Sequence, residues 1–145
     1  MSHPYSPWAD LASRHHITVE YDYLPPDTDA LWLPDSDVIV LDRRLNQAER
    51  RSALAHELAH VDLGHSGDVD DATARAQEIA ADVVAARALI SLPSLARALQ
   101  VTLDEHGVAH ELWVDVATVR TRISALTERE KDWLDTEVND EEATA

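Results

Sequence analysis

The sequence predicts an α+β fold: a small, largely antiparallel three-stranded sheet packed on two long helices, with additional helices toward the C-terminus. Three observations predict it. Apolar and polar residues alternate or cluster in short runs between about residues 17 and 41, a continuous helical pattern runs from Asn46 to Leu63, and an Ala-rich pattern of similar length follows from about Asp71 to Ile90. At 145 residues the chain is one domain's worth, large enough to bury a core without disulfides. The reading places a single domain over 1–127, with its helical extension beginning at about 94 and an acidic tail over 128–145.

Taken in order, Ser6-Pro7 has the form of an N-cap followed by proline at the first helical position, so a short opening helix is expected. From Ile17 to Leu24 the residues Ile17, Val19, Tyr21 and Tyr23 fall on one face and Thr18, Glu20 and Asp22 on the other, the pattern of a half-buried strand ended by Pro25-Pro26. Ala30–Leu33 and Val38–Leu41 flank Pro34-Asp35-Ser36-Asp37, whose residues favour a turn, and read as a hairpin. One edge of such a sheet could accept an extended peptide as a further strand.

Asn46 with Glu49 three residues on resembles a capping box, and Gly64 stands where a left-handed C-cap would stop the helix one turn past His60. This helix carries His56-Glu57-Leu58-Ala59-His60, the pattern HExxH. Residues four apart share a helix face, so His56 and His60 aim at a common point and can hold one metal ion. Glu57 can reach a metal-activated water without being a ligand, a division that suits hydrolysis.

On the second helix Glu78 and Asp82 again share a face. Glu78 is the expected third ligand, and Asp82 the acceptor for the outward N–H of a liganding histidine. Ile79, Val83 and Ile90 with the neighbouring alanines surround these acids, so both are expected to be drawn toward the interior. Tyr21, Tyr23 and His65 are further candidate donors to a reacting carbonyl.

Other histidine pairs carry less. His15-His16 are adjacent and diverge on a helix. His106 and His110 are four apart, but Gly107 weakens the helix between them and no third ligand is near, so they read as surface. Val108–Leu112, Trp113–Asp115 and the run from Val116 have a helix-turn-helix rhythm, with Arg120 and Arg122 as the obvious contacts to DNA. Asp104, Glu105, Glu111 and Asp115 crowd the same stretch, and two short helices packed on the core are the preferred reading. The tail closes on Asn139-Asp140-Glu141-Glu142, where disorder is expected.

Composition bounds the function. Acidic residues outnumber basic ones by 28 to 12, for a net charge of −16, which repels phosphate backbones and argues against direct DNA binding. Cysteine is absent, which excludes a thiol nucleophile and Cys-ligated zinc and leaves His and carboxylate as metal donors. No apolar run approaches a membrane span and Met1 to Trp8 lacks the features of a secretory signal, so a soluble, cytoplasmic protein is expected.

Two stretches resemble a known family. Ala53 to His60 with Leu63-Gly64-His65, and Glu78 to Pro93 with Ala81-Asp82, Ala85-Ala86 and Leu89-Ile90, look like the ImmA/IrrE metallopeptidases, and the strand ending Val38-Ile39-Val40-Leu41 also fits. The resemblance implies a small zincin-like fold with His56, His60 and Glu78 as zinc ligands, Glu57 as catalytic base and Asp82 behind a ligand. It also implies cleavage of helix-turn-helix repressors that control mobile-element, phage or stress-response genes. The chain departs from that family's usual pattern at Ala80, Val84 and Ala88, and the extra domains of its longer members are not expected within these 145 residues. A metzincin reading fails, because Leu63 and Ser66 occupy the positions where that class needs Gly and His. Two other readings predict different results: a zinc-stabilised module that binds a partner without cutting it needs no base at Glu57, and a DNA-binding regulator built on the last helices would show a steep salt dependence.

Overall fold

The computed structural model describes residues 4–144, with side chains through 139. The opening helix α1 (Pro7–Ala12) begins as its sequence requires: the Ser6 hydroxyl accepts the Ala9 N–H and Pro7 takes a position that needs no donor. Strands β1 (Thr18–Asp22), β2 (Ala30–Leu33) and β3 (Val38–Asp42) form one sheet in the order β1-β3-β2. The hairpin is present, with Leu31 opposite Val40. The other pair, β1 with β3, is parallel, so the sheet is mixed where the sequence pattern pointed to mostly antiparallel pairing.

The physical reason lies in β3, whose Ile39 and Leu41 are fully buried. The most apolar strand takes the centre, the hairpin fixes β2 on one side, and the loop after β1 carries the chain across to leave β1 on the other. Asp42, 4% exposed, pins both ends: its carboxylate accepts the Leu24 and Arg44 N–H groups, and its own N–H donates to Asp29. The Arg44 and Leu24 hydrogen bonds hold its carboxyl below the usual range. Tyr21 and Tyr23 are exposed rather than half-buried, because the strand outruns the core. Arg50 and Arg44 lie over their rings at 5.4 and 5.1 Å.

Helix α2 (Gln47–Leu63) has the full capping box, with Glu49 N–H to Asn46 and Asn46 N–H to the Glu49 carboxylate both at 2.9 Å. It divides the interior. Leu54, Leu58 and Ala53 pack with Ile17, Ile39 and Leu41 against the sheet, while Ala55 and Ala59 face a helical core containing Ala81, Ala85 and Leu89. Alanines on both sides of that second contact let α3 (Asp71–Leu89) approach closely.

Ser91 caps α4 (Leu92–Val101), which turns 75° from α3. α5 (Glu105–Leu112) is sound despite Gly107, which is there for space: a Cβ would come within 2.8 Å of Thr102 Cγ2. α6 (Val116–Ser124) is capped by Asp115. The arginines that could have read DNA are committed within the molecule. Arg120 Nε donates to Glu105 at 2.8 Å, and Arg122, 3% exposed, donates to the Ile90 carbonyl at 2.8 Å. No single helix among the described residues is long and apolar enough to cross a membrane.

The acidic stretch forms α7 (Glu128–Thr144), seated by buried Leu134; the side chains of 140–144, where disorder was expected, lie outside the described residues, as does residue 145. Glu130 starts this helix by accepting the Thr127 N–H at 3.0 Å, and also binds Arg87. The Thr127 N–H, helped by Arg87 and Arg122, draws its pKa down to about 2 from an ordinary 4.5. A depressed carboxyl contributes stability that is present above about 4.5 and lost as pH falls toward about 2. Glu130→Gln is therefore expected to lower the melting midpoint by a few degrees at neutral pH, with the difference from wild type shrinking below about pH 4 in parallel melts. An equal difference at both pH values would remove this ion cluster from the account.

Candidate metal centre

HExxH occupies the C-terminal half of α2, where the helix is buried on both sides; Glu57 is 6% and His60 8% exposed. The helical period sets the imidazoles on one face, with their Nε2 atoms 3.1 Å apart. Glu78 reaches them from α3: one carboxylate oxygen lies 3.0 Å from His56 Nε2 and the other 2.9 Å from His60 Nε2. Asp82, one turn further along α3, meets the opposite nitrogen of His56, Nδ1, at 2.8 Å.

The donor chemistry tests whether a metal fits. A carboxylate only accepts, so Asp82 requires the proton of His56 on Nδ1, which leaves a lone pair at Nε2 in the neutral ring. His60 Nδ1 is likewise turned outward, 2.8 Å from His65 Nδ1; in the tautomer in which His60 donates to His65, its Nε2 is bare as well. With both rings neutral, two lone pairs and a carboxylate converge, an arrangement that a cation satisfies; the proton that His56 holds up to about pH 9 when no metal is bound occupies that same place beside Glu78. Zinc bound at about 2.0–2.1 Å in tetrahedral geometry separates its ligands by roughly 3.3 Å, so these groups fit it with an outward shift of a few tenths of an ångström.

His65, a candidate carbonyl donor by sequence, lies with its Nδ1 2.8 Å from His60 Nδ1 and on the wall of the smaller cleft. Its place follows from Gly64, whose φ of 68° turns the chain back so that the His65 N–H binds the His60 carbonyl at 3.0 Å. The signal was present in the glycine followed by histidine just past the helix. Tyr21 and Tyr23 line neither cleft beside the site. Glu78 and Asp82 are not drawn into the interior, their side chains being 60% and 52% exposed. The alanines of α3 make the contact with α2, and the acids stand at its margin, on the wall of an open cleft.

The electrostatics favour a cation and a base. Burial lowers the His56 pKa, but Asp82, Glu57 and Glu78 together outweigh it and raise the value to about 9; burial and His56 hold His60 below its ordinary value. Burial first, and Glu78 second, push Glu57 up to about 7 against the opposing pull of His56. The described residues record no hydrogen bond to the Glu57 carboxylate. His56, Glu57 and His60 hold potential ligand atoms within 4.8 Å of one another, so Glu57 is at the centre as well, though Glu78 is nearer to both imidazoles.

Two clefts meet here, of about 420 and 210 Å³. Glu57, Glu78, Ala30 and Leu31 line both, which makes the edge strand β2 a shared wall and Glu57 part of the floor between them.

Comparison with known proteins agrees with this geometry. The family profile described as Peptidase M78, IrrE N-terminal-like domain, matches residues 12–124. A solved structure of a Mycobacterium tuberculosis transcriptional regulator is similar in fold, with a TM-score of 0.65 at 23% identity. The match covers 86% of this chain and 42% of that one, so the chain spans less than half the length of that protein. A search of curated proteins returned no significant match.

Proposed function

As the chain belongs to the M78 peptidase family through an IrrE N-terminal-like domain, we propose that it is a zinc-dependent endopeptidase, with a helix-turn-helix transcriptional repressor as its substrate. The observation that carries this reading is the convergence of His56 Nε2, His60 Nε2 and the Glu78 carboxylate beside the buried Glu57 carboxylate. The resemblance to repressor-cleaving peptidases supports the substrate class.

In this reading His56, His60 and Glu78 hold the zinc, Asp82 and His65 fix the two imidazoles, and Glu57 is the base. Zinc, when bound, supplies electrophilic activation of water and of the scissile carbonyl. Glu57 takes the proton of the attacking water and passes it to the departing amine, and burial already disposes its carboxyl to accept a proton. An extended peptide lies along β2, whose outer edge has no neighbouring strand among the described residues.

The test begins with elemental analysis of the purified chain after zinc is resupplied near neutral pH, where about one zinc per chain is expected. Candidate repressors are then incubated with the loaded protein and followed by mass spectrometry. Zinc without cleavage of any repressor would move the substrate elsewhere; no zinc would remove the peptidase reading.

A further inference from the structure

A second histidine pair lies outside the metal centre. His106 and His110 stand one turn apart on α5, and two features of the chain set them aside at first: Gly107 between them weakens a helix, and no third ligand is near in sequence. The fold removes both objections. α5 is a regular helix from Glu105 to Leu112, and Asp104 caps it by accepting the Gly107 N–H at 3.0 Å. Packing then brings acids from elsewhere. A cleft of about 330 Å³ is lined by His106 and His110 together with Glu49 from the first turn of α2 and Asp115 from the start of α6.

The rotation of α5 fixes this arrangement. Val108 and Ala109 are buried in the helical core, which leaves both histidines exposed on one side of the helix, along the cleft. Each carboxylate has an uncommitted oxygen: Glu49 gives Oε1 to the Asn46 N–H and Asp115 gives Oδ1 to Thr118, and neither second oxygen has a hydrogen bond among the described residues. No Lys or Arg lines the cleft among those residues. The imidazoles decide the class of ion. Carboxylates and water alone suit magnesium or calcium, whereas two imidazoles one turn apart on a helix form a chelate for zinc, nickel or copper. Because both rings are exposed, the convergence that packing imposes on His56 and His60 is reached here by side-chain rotation, and the lost rotamer freedom makes this the weaker site.

We propose that His106 and His110 form a second transition-metal site, for zinc in particular, with the free carboxylate oxygens across the cleft and water completing the ion's shell. None of His56, Glu57, His60, Glu78 and Asp82 lines this cleft, so the two sites are separate. An ion held here joins α5 to the capped starts of α2 and α6.

The test is a zinc count at equilibrium. The full wild-type chain is dialysed near neutral pH against buffered zinc in the micromolar range, with millimolar magnesium present to occupy the surface carboxylates, and zinc per chain is read by elemental analysis. About two are expected, one of them lost on transfer to zinc-free buffer while the three-ligand centre keeps its own. His106→Ala and His110→Ala are each expected to hold about one under the same conditions. Both positions are exposed and alanine is the better helix former, so the fold is kept. Glu49→Gln with Asp115→Asn, which retain the caps, weaken the second zinc by about two- to fivefold. The histidine substitutions are repeated in a chain carrying His60→Ala, which disables the centre on α2 and makes the result independent of the peptidase reading. A zinc count that neither substitution lowers, in the wild type or in that background, overturns the site.

Discussion

Glu57→Gln is expected to keep its zinc and to lose about 10² to 10⁴ in the rate of peptide cleavage, the range for removing a general base. Glutamine preserves size and fits the same buried position, so the fold and the two imidazoles are left in place, but it has no basic oxygen to take the proton. The wild-type carboxyl is unusual in being buried, in having no hydrogen-bond donor among the described residues, and in being raised to about 7 before any metal is bound. Burial destabilises its charged form and so makes it readier to accept a proton near neutral pH. The measurement is paired: zinc per chain by elemental analysis, and single-turnover cleavage with the variant loaded to the same extent. Cleavage at the wild-type rate would dismiss Glu57 as the base.

The parts of this centre that sequence made legible are those fixed by local rules. His56 and His60 share a face because a helix has its period, and the helix has its limits because Asn46 with Glu49 starts it and Gly64 stops it. Glu78 and Asp82 were legible by the same spacing on α3. What spacing does not contain is tertiary placement. Alternation within β1 says which residues share a face, and nothing about whether its neighbour runs parallel, so the β1–β3 pairing had to come from the burial of β3. The exposure of Glu78 and Asp82 depends on how α3 is rotated against α2, which its buried alanines decide. Arg120 and Arg122 have the placement of DNA contacts along the chain; only the packing of α5, α3 and α7 around them reveals that Glu105, Ile90 and Glu130 already hold them. Gly107 looked like a weak point in α5 because the side chain it must avoid, Thr102, is identified by contact rather than by pattern.

Glu78→Ala should produce the largest loss of zinc, raising the dissociation constant by more than the 10- to 100-fold expected for His65→Ala or Asp82→Asn, whose side chains support the imidazoles from behind. The substitution is clean because Glu78 is 60% exposed and alanine is the better helix former, so the metal-free variant should melt at or slightly above the wild-type temperature. Chelator competition near neutral pH gives the three affinities on one scale. The order matters because a rival arrangement exists in which Glu57, which also lies within 4.8 Å of the imidazole donors, is itself the third ligand. That rival reverses the pattern: Glu78→Ala would leave zinc affinity nearly unchanged and Glu57→Gln would lose the metal. The proximity of both Glu78 oxygens to the two Nε2 atoms, at 2.9 and 3.0 Å, predicts the first pattern. A site closed by Glu57 would have no free base, and a peptidase mechanism would have to find one elsewhere. Measuring zinc on these two variants therefore decides the ligand and the base together, because each carboxylate can fill only one of the roles.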